Sequence, residues 1–289
     1  MILNYSYHSL GDELIEIQQE YLENIPNDSE KIFIIGNSRT LAIDPERVQK
    51  TIEGSGYEVY NISIGGTGFI ERSKVLNLII DSHPKIIVLG LSGDDFSDDI
   101  RKINIKNEQN NHFQFFSLIT EDFPFLASPR YYFVNLFTSN FNEISKIKGE
   151  QLDSKLPFFI KSDSDYDVIP NHKLKLENDR VIPQVIPLER NSKLKIIEDF
   201  IDTLIKNDIH VVVITNPFSR IWIDNTTIGN KENFNEILNY FAESKNIQVV
   251  NLTEKYADME IWRDPQHIAF GEPSNVYTDD VVKIIKKML

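Results

Sequence analysis

Five short apolar runs rich in β-branched residues, each separated from the next by a helix-like pattern, constrain this chain more than any other feature. They lie at 31–35, 57–64, 85–91, 210–215 and 247–252. Gly36 stops the first, Gly65-Gly66 the second and Asn216-Pro217 the fourth, while His83-Pro84 leads into the third. Runs of this length, bounded by turn residues, read as strands buried on both faces, the kind a parallel sheet needs. Between them, 71–81 reads as helical. The stretch 191–206 places Leu194, Ile197, Ile201, Leu204 and Ile205 on one face, and 231–244 carries Phe234, Ile237, Leu238 and Phe241. A closing helix is expected from Thr278, read as an N-cap with Asp279 and Asp280 in the first turn. The pattern predicts an α/β protein: a three-layer sandwich with a flavodoxin-like five-stranded parallel sheet.

At 289 residues the chain suits one large domain, 1–289, carrying an insertion at about 101–190 where the alternation stops. That region is rich in aromatics (Phe113, Phe115, Phe116, Phe123, Phe125, Tyr131, Tyr132, Phe133, Phe137, Phe141) and interrupted by Pro124, Pro129, Pro157, Pro170, Pro183 and Pro187. It is expected to pack over the ends of the strands, either as a lid or substrate platform or as a subdomain burying its own rings.

The 44 acidic and 30 basic side chains give a formal charge of −14, which repels nucleic acid and anionic lipid. Lys283, Lys286 and Lys287 read as the solvated face of the last helix, not as a binding patch. Cysteine is absent, which excludes disulfides, thiolate metal sites and a cysteine nucleophile. No run approaches the roughly 20 apolar residues that span a membrane, so no direct membrane insertion is expected of the given chain. The chain would be cytoplasmic if Met1 is its native start and extracytoplasmic if an anchor precedes it.

Ligands of open α/β sheets bind beyond the carboxyl ends of the strands, so the residues following each strand carry the functional information. After the first comes Gly36-Asn37-Ser38-Arg39-Thr40, with Ser38 near the start of the next helix. It reads as an N-cap or as a nucleophile served by helix-terminal N–H groups. After the second comes Gly65-Gly66-Thr67-Gly68, whose bare backbone suits an oxyanion hole, a phosphate cradle or a flexible loop. Neither a dinucleotide fingerprint nor a P-loop ending is present, which disfavours nucleotide binding. After the third, Asp94, Asp95, Asp98 and Asp99 read as a solvated acidic turn or a hard-cation site, though without EF-hand spacing. Near the C-terminus stands Asp264-Pro265-Gln266-His267. An Asp three residues before a His in a turn can hold the imidazole Nδ1 and leave Nε2 free to take a proton.

The order of these turns resembles the SGNH/GDSL hydrolase superfamily over roughly 31–100 and 191–289. The form Gly36-Asn37-Ser38-Arg39-Thr40 with Ile43-Asp44-Pro45 looks like the bacterial branch holding glycan O-acetyltransferases and the D-alanyl-transfer protein of teichoic-acid synthesis. The resemblance implies a catalytic triad of Ser38, Asp264 and His267, with an oxyanion hole built from the Ser38 and Gly66 N–H groups and the position of Asp94. It implies no cofactor and no metal. The partner would be a small-molecule or glycan acyl ester, hydrolysed or transferred.

Two residues depart from the family pattern. Asn37 stands where the signature has Asp, and Asp94 stands where an Asn amide donates to the oxyanion. An ionised Asp94 would oppose the developing charge. Burial beside Leu91 and Phe96 would instead keep it protonated and able to donate. Two alternatives follow: an SGNH-fold binding or assembly protein of cell-envelope glycan biosynthesis with impaired catalysis, and a metal-dependent phosphohydrolase using Asp94 to Asp99.

Overall fold

A computed structural model describes residues 10–26, 28–65, 67–97, 163–176 and 182–289 of the chain. Five strands form the sheet: β1 (Glu30–Ile35), β2 (Tyr57–Asn61), β3 (Pro84–Leu91), β4 (His210–Thr215) and β5 (Gln248–Val250). Their order is β2-β1-β3-β4-β5 and every neighbouring pair is parallel. This is the flavodoxin-like arrangement that the alternation predicts.

Strand periodicity divides the apolar residues between two layers of helix. Phe33, Ile35, Ile87, Leu89, Val211 and Val213 belong to one core, which also takes in α1 (Leu10–Glu23), α3 (Phe69–Ser73), α4 (Leu76–Asp81), α5 (Ser192–Lys206) and α7 (Ile228–Ser244). Ile32, Ile34, Ile86, Val88, Val212 and Ile214 belong to the other, with α2 (Pro45–Thr51) and α8 (Asn275–Lys286). The β1-to-β2 connection thus runs on one face and the later crossovers on the other, so the chain reverses direction across the sheet between β1 and β3. Burial of each such side chain contributes about 1.5–3 kcal/mol. The half-exposed Arg47–Asp279 pair that links α2 to α8 contributes at most about 1 kcal/mol. Apolar burial therefore holds the layers.

Several elements differ from the sequence reading. The stretch 71–81 is two short helices, α3 and α4, with Val75 buried at the break. Ile205 is 40% exposed, because it falls one residue past the stripe that Phe200 completes in its stead. Thr278 is not an N-cap: α8 begins three residues earlier at Asn275, and the buried Thr278 Oγ1 accepts a hydrogen bond from Asp44 N (3.1 Å). Backbone pairing with β1 outlasts β2, since Ile62 N donates to Ile34 O (2.9 Å) and Ile64 N to Gly36 O (3.1 Å). The helix expected after the first strand is α2, which starts at Pro45 and not near Ser38, while α1 and a short helix α6 (Arg220–Asn225) have no counterpart among the expected elements. For α2 the signal was present, with Pro45 in the first turn and Asp44 capping Glu46 N and Arg47 N.

Close packing at the carboxyl ends of β1 and β3 is fixed by Thr40. A Cβ on Gly36 or on Gly90 would collide with the Thr40 side chain, and one on Gly90 would also lie 3.2 Å from Asn216 Oδ1. Replacing Gly90 by Ala is expected to destabilise the fold by about 1–3 kcal/mol through overpacking, read as a lower urea midpoint. The Gly90→Ala/Thr40→Ala double variant is expected to lose less than the sum of the single losses, because the second change removes the atoms that clash.

Candidate active site

The turns after β1 and β3 leave the sheet where the strand order reverses, the place at which open α/β sheets bind ligands. Ser38 lies in the first turn. That turn leads into a 3-10 turn at Thr40–Ala42, not the opening of an α-helix as expected, since α2 starts only at Pro45. Its shape is set by Asn37, whose Oδ1 accepts from Arg39 N (3.0 Å) and whose carbonyl accepts from Thr40 N (3.0 Å). Asn61 Nδ2 closes the far side by donating to the Thr40 and Ile43 carbonyls (3.1 and 2.8 Å).

A two-stranded hairpin, β6 (Trp262–Asp264) and β7 (His267–Ile268), brings in the C-terminal residues. Asp264 Oδ1 accepts from Gln266 N (2.7 Å) and His267 N (3.0 Å), so the carboxylate organises its own turn. The His267 Nδ1 lies 2.8 Å from Asp264 Oδ2 and 3.0 Å from Oδ1. Ser38 Oγ lies 2.8 Å from His267 Nε2. Three side chains singled out in the sequence are thus joined by one run of hydrogen bonds. With Asp264 accepting from Nδ1–H, the neutral imidazole presents its Nε2 lone pair to the Ser38 hydroxyl.

The electrostatics favour that tautomer. Burial is the main influence on His267 and pushes its pKa down. Asp264 opposes that shift, and the Arg39 and Arg263 charges add to it, with a net result below the usual histidine value. Burial disfavours ionisation of Asp264 too, but its hydrogen bonds and charge interaction with His267 outweigh this and hold the carboxyl below the usual range. The pair is therefore a carboxylate beside a neutral imidazole near pH 7.

Of the two cases open for Asp94, the structure excludes burial beside Leu91 and Phe96. The Asp94 side chain is one-third exposed and its Oδ2 accepts from Arg39 Nη2 at 2.7 Å. It is Asp95 that is buried, ion-paired with Arg72 and accepting from Ser92 N (2.9 Å). Phe96 points away into the core beside Phe234 and Phe241. Consecutive residues of the 3-10 turn Gly93–Phe96 face different directions, so Phe96 cannot shield Asp94. Arginines hold both of the acidic-run residues that are described, which opposes a cation site there. Gly66, Asp98 and Asp99 lie outside the described residues. Gly65, next to Gly66, packs with its Cα side 3.5 Å from Ser38 Cβ when a Cβ is built on it.

Arg39, Ser92, Asn216 and Gln266 were not singled out as site residues in the sequence, yet all are buried around the site. Arg39 Nη2 also donates to Gln266 Oε1, and its guanidinium lies 4.6 Å from the Phe218 ring centre. The sole signal available was position: Arg39 follows Ser38 and Gln266 precedes His267. An open cavity of about 560 Å³ adjoins Asp94 and is walled by Val185, Phe218, Trp222, Ile223 and Phe234. Ser38 and His267 do not line it; it lies beyond the Arg39–Asp94 pair.

The described ends of the expected insertion reach this region. Asp165 pairs with Arg263, Phe270 N donates to the Asp165 carbonyl (2.9 Å), and Ile182, Pro183 and Val185 contribute to the cavity. The aromatic stretch from Phe113 to Phe141 lies outside the described residues.

Fold and site together define a doubly wound α/β protein with serine, histidine and aspartate in hydrogen-bonded sequence at the carboxyl edge of its sheet. No family model matches the chain, and no curated protein matches it. Among solved structures it is similar to a GDSL-like lipase from Bacteroides thetaiotaomicron, at 11% identity and a TM-score of 0.44, covering 96% of this chain and 100% of the other. It is similar to an acetyl xylan esterase at 12% identity and a TM-score of 0.46, covering 90% and 99% of the two chains. A third, TesA, shares 11% identity with a TM-score of 0.48 and coverage of 90% and 100%.

The geometry of the site makes the His267 titration a direct test. Followed by the imidazole C–H resonances, it is expected below the usual 6.5. Asp264→Asn is expected to move it lower still, since the carboxylate is the group that favours the imidazolium. A midpoint that rises in Asp264→Asn would contradict this account.

Proposed function

We propose that this chain is a serine ester hydrolase or O-acyltransferase of the SGNH type. The observation that carries the reading is the unbroken hydrogen-bond run Ser38–His267–Asp264. Ser38 Oγ attacks an acyl carbonyl while His267 Nε2 takes its proton. His267 then protonates the leaving alkoxide, and Asp264 holds the ring and balances the imidazolium. Water or a sugar hydroxyl, deprotonated by the same Nε2, releases the acyl group. The Ser38 and Gly66 N–H groups serve the oxyanion. The substrate is a small O-acyl ester or an acylated glycan, and the adjoining apolar cavity is of a size that accommodates part of such a molecule.

Asp94 has a different part in this reading from the one its place in the sequence suggested. A carboxylate that accepts from Arg39 donates nothing to an oxyanion. Its charge is nevertheless matched by the neighbouring guanidinium, which removes the repulsion that argued for an impaired site.

Ser38→Ala is expected to lower turnover of a short-chain aryl ester on the order of 10⁴-fold or more, with an unchanged circular dichroism spectrum. It is also expected to abolish labelling by a fluorophosphonate probe. Equal hydrolysis by both proteins would assign the activity elsewhere. Asp94→Asn keeps an oxygen for Arg39 and supplies an amide donor, so ester turnover is expected to be retained or raised. Loss of turnover at every pH, with Ser38 still labelled, would show that the carboxylate itself is required.

A further inference from the structure

The turns that present Ser38 and His267 come from opposite ends of the chain, and they are joined by more than the Ser38–His267 contact. Arg39 Nη2 donates both to Gln266 Oε1 and to Asp94 Oδ2 (2.7 Å). Its Nη1 reaches Ser92 Oγ at 3.4 Å, and the guanidinium face lies on Phe218 at 4.6 Å from the ring centre. Phe218 is itself fixed, its N donating to the Thr253 carbonyl (3.0 Å). Gln266 and Arg39 are both buried. On its other side the 264–267 turn is held by Ser219, whose Oγ and N both donate to the Pro265 carbonyl (2.7 and 3.3 Å). Of these two tethers, the one through Gln266 leads back to the nucleophile's own turn.

We propose that Arg39 is a positioning residue that locks the His267 turn onto the Ser38 turn through Gln266, a role resting on the reading of Ser38 and His267 as the reacting pair. The chemistry of the side chain fits the task. A planar guanidinium serves acceptors in several directions while its face stacks on an aromatic ring, which a lysine ammonium does not do. The lock matters because proton transfer from Ser38 needs Nε2 at hydrogen-bond distance, and a displacement of about 1 Å costs on the order of 10²-fold in rate.

The same residue has an electrostatic consequence. His267 faces Asp264 and Arg263 from β6 and Ser38 and Arg39 from the turn after β1, while Asp94, from the turn after β3, balances Arg39. Arg39 and Arg263 disfavour the imidazolium and Asp264 favours it. Removing Arg39 takes away a cation and leaves Asp94 uncompensated, and both changes raise the pKa of His267. Replacing Gln266 with an uncharged residue breaks the lock and leaves the charges in place.

The test separates these effects with Gln266→Leu, Arg39→Met and Arg39→Lys in the full chain, using an aryl ester across pH. Gln266→Leu is expected to lower kcat about 10- to 100-fold, with KM and the acid limb of the profile unchanged. Arg39→Met is expected to lose a similar factor and to move the acid limb to higher pH. Arg39→Lys is expected to restore the acid limb but not kcat. Wild-type kcat in Gln266→Leu overturns the lock, and that variant, which changes no charge, decides the matter alone if Arg39→Met does not fold. An acid limb that stays in place in folded Arg39→Met overturns the electrostatic part. If the wild-type protein neither turns over ester nor labels with fluorophosphonate, the reading of the site fails, and the lock is then read independently. The limiting chemical shifts of the His267 imidazole C–H protons are expected to change in Gln266→Leu as the ring moves relative to Ser38, and unchanged shifts overturn the lock.

Discussion

The side chain of Asn37 ties three strand ends together, and the site is arranged around it. Its Oδ1 accepts from Arg39 N (3.0 Å) and from Asn216 Nδ2 (3.2 Å), and its Nδ2 donates to Ser92 Oγ (3.0 Å). These partners follow β1, β4 and β3 respectively. Asn216 Oδ1 in turn accepts from Thr40 Oγ1 (2.8 Å) and Tyr277 OH (3.3 Å), which extends the network to α8. All of these groups are buried, and leaving one unpaired would cost about 1–3 kcal/mol. The network therefore admits one arrangement of the three turns. Ser38 inherits its position because both of its neighbours are held.

Charge is distributed in the opposite sense to the whole chain. The net charge is −14, yet Arg39 and Arg263 are the cations that act on His267, and Arg39 and Arg72 are buried behind the turn after β3. Each has a carboxylate partner: Asp94, Asp165 and Asp95. Burying an ion pair contributes little net stability, because desolvation offsets the attraction, but removing one partner costs about 3–5 kcal/mol. Such pairs fix geometry more than they stabilise it. Around His267 the Arg39 and Arg263 charges also favour the neutral imidazole.

The layers and the site draw on different physics. Strand alternation sorts Ile32 and Ile34 from Phe33 and Ile35, and the helices follow whichever face they must cover. That information is local, repeats every two or four residues, and was legible for all five strands. Where the structure differs, a neighbour holds the expected place: Phe200 and not Ile205 completes the buried stripe, and α8 starts at Asn275 and not at Thr278. The two short helices α3 and α4 read as one because the apolar pattern runs through Val75, which turns inward where the helix breaks.

By itself the sequence determined which residues stand at the carboxyl ends of the strands, because hydrophobic period and turn chemistry are properties of adjacent residues. Ser38, Asp94, Asp264 and His267 could be named on that basis. Only the tertiary structure decided what each faces. Ser38 and His267 are 229 positions apart and Arg39 and Gln266 are 227 apart, distances over which no periodicity carries. Asp94 finds its partner 55 residues earlier, at Arg39 beside Ser38. The pairing of buried charges depends on which turns the strand order brings together, and that order is set by how the two helical layers pack.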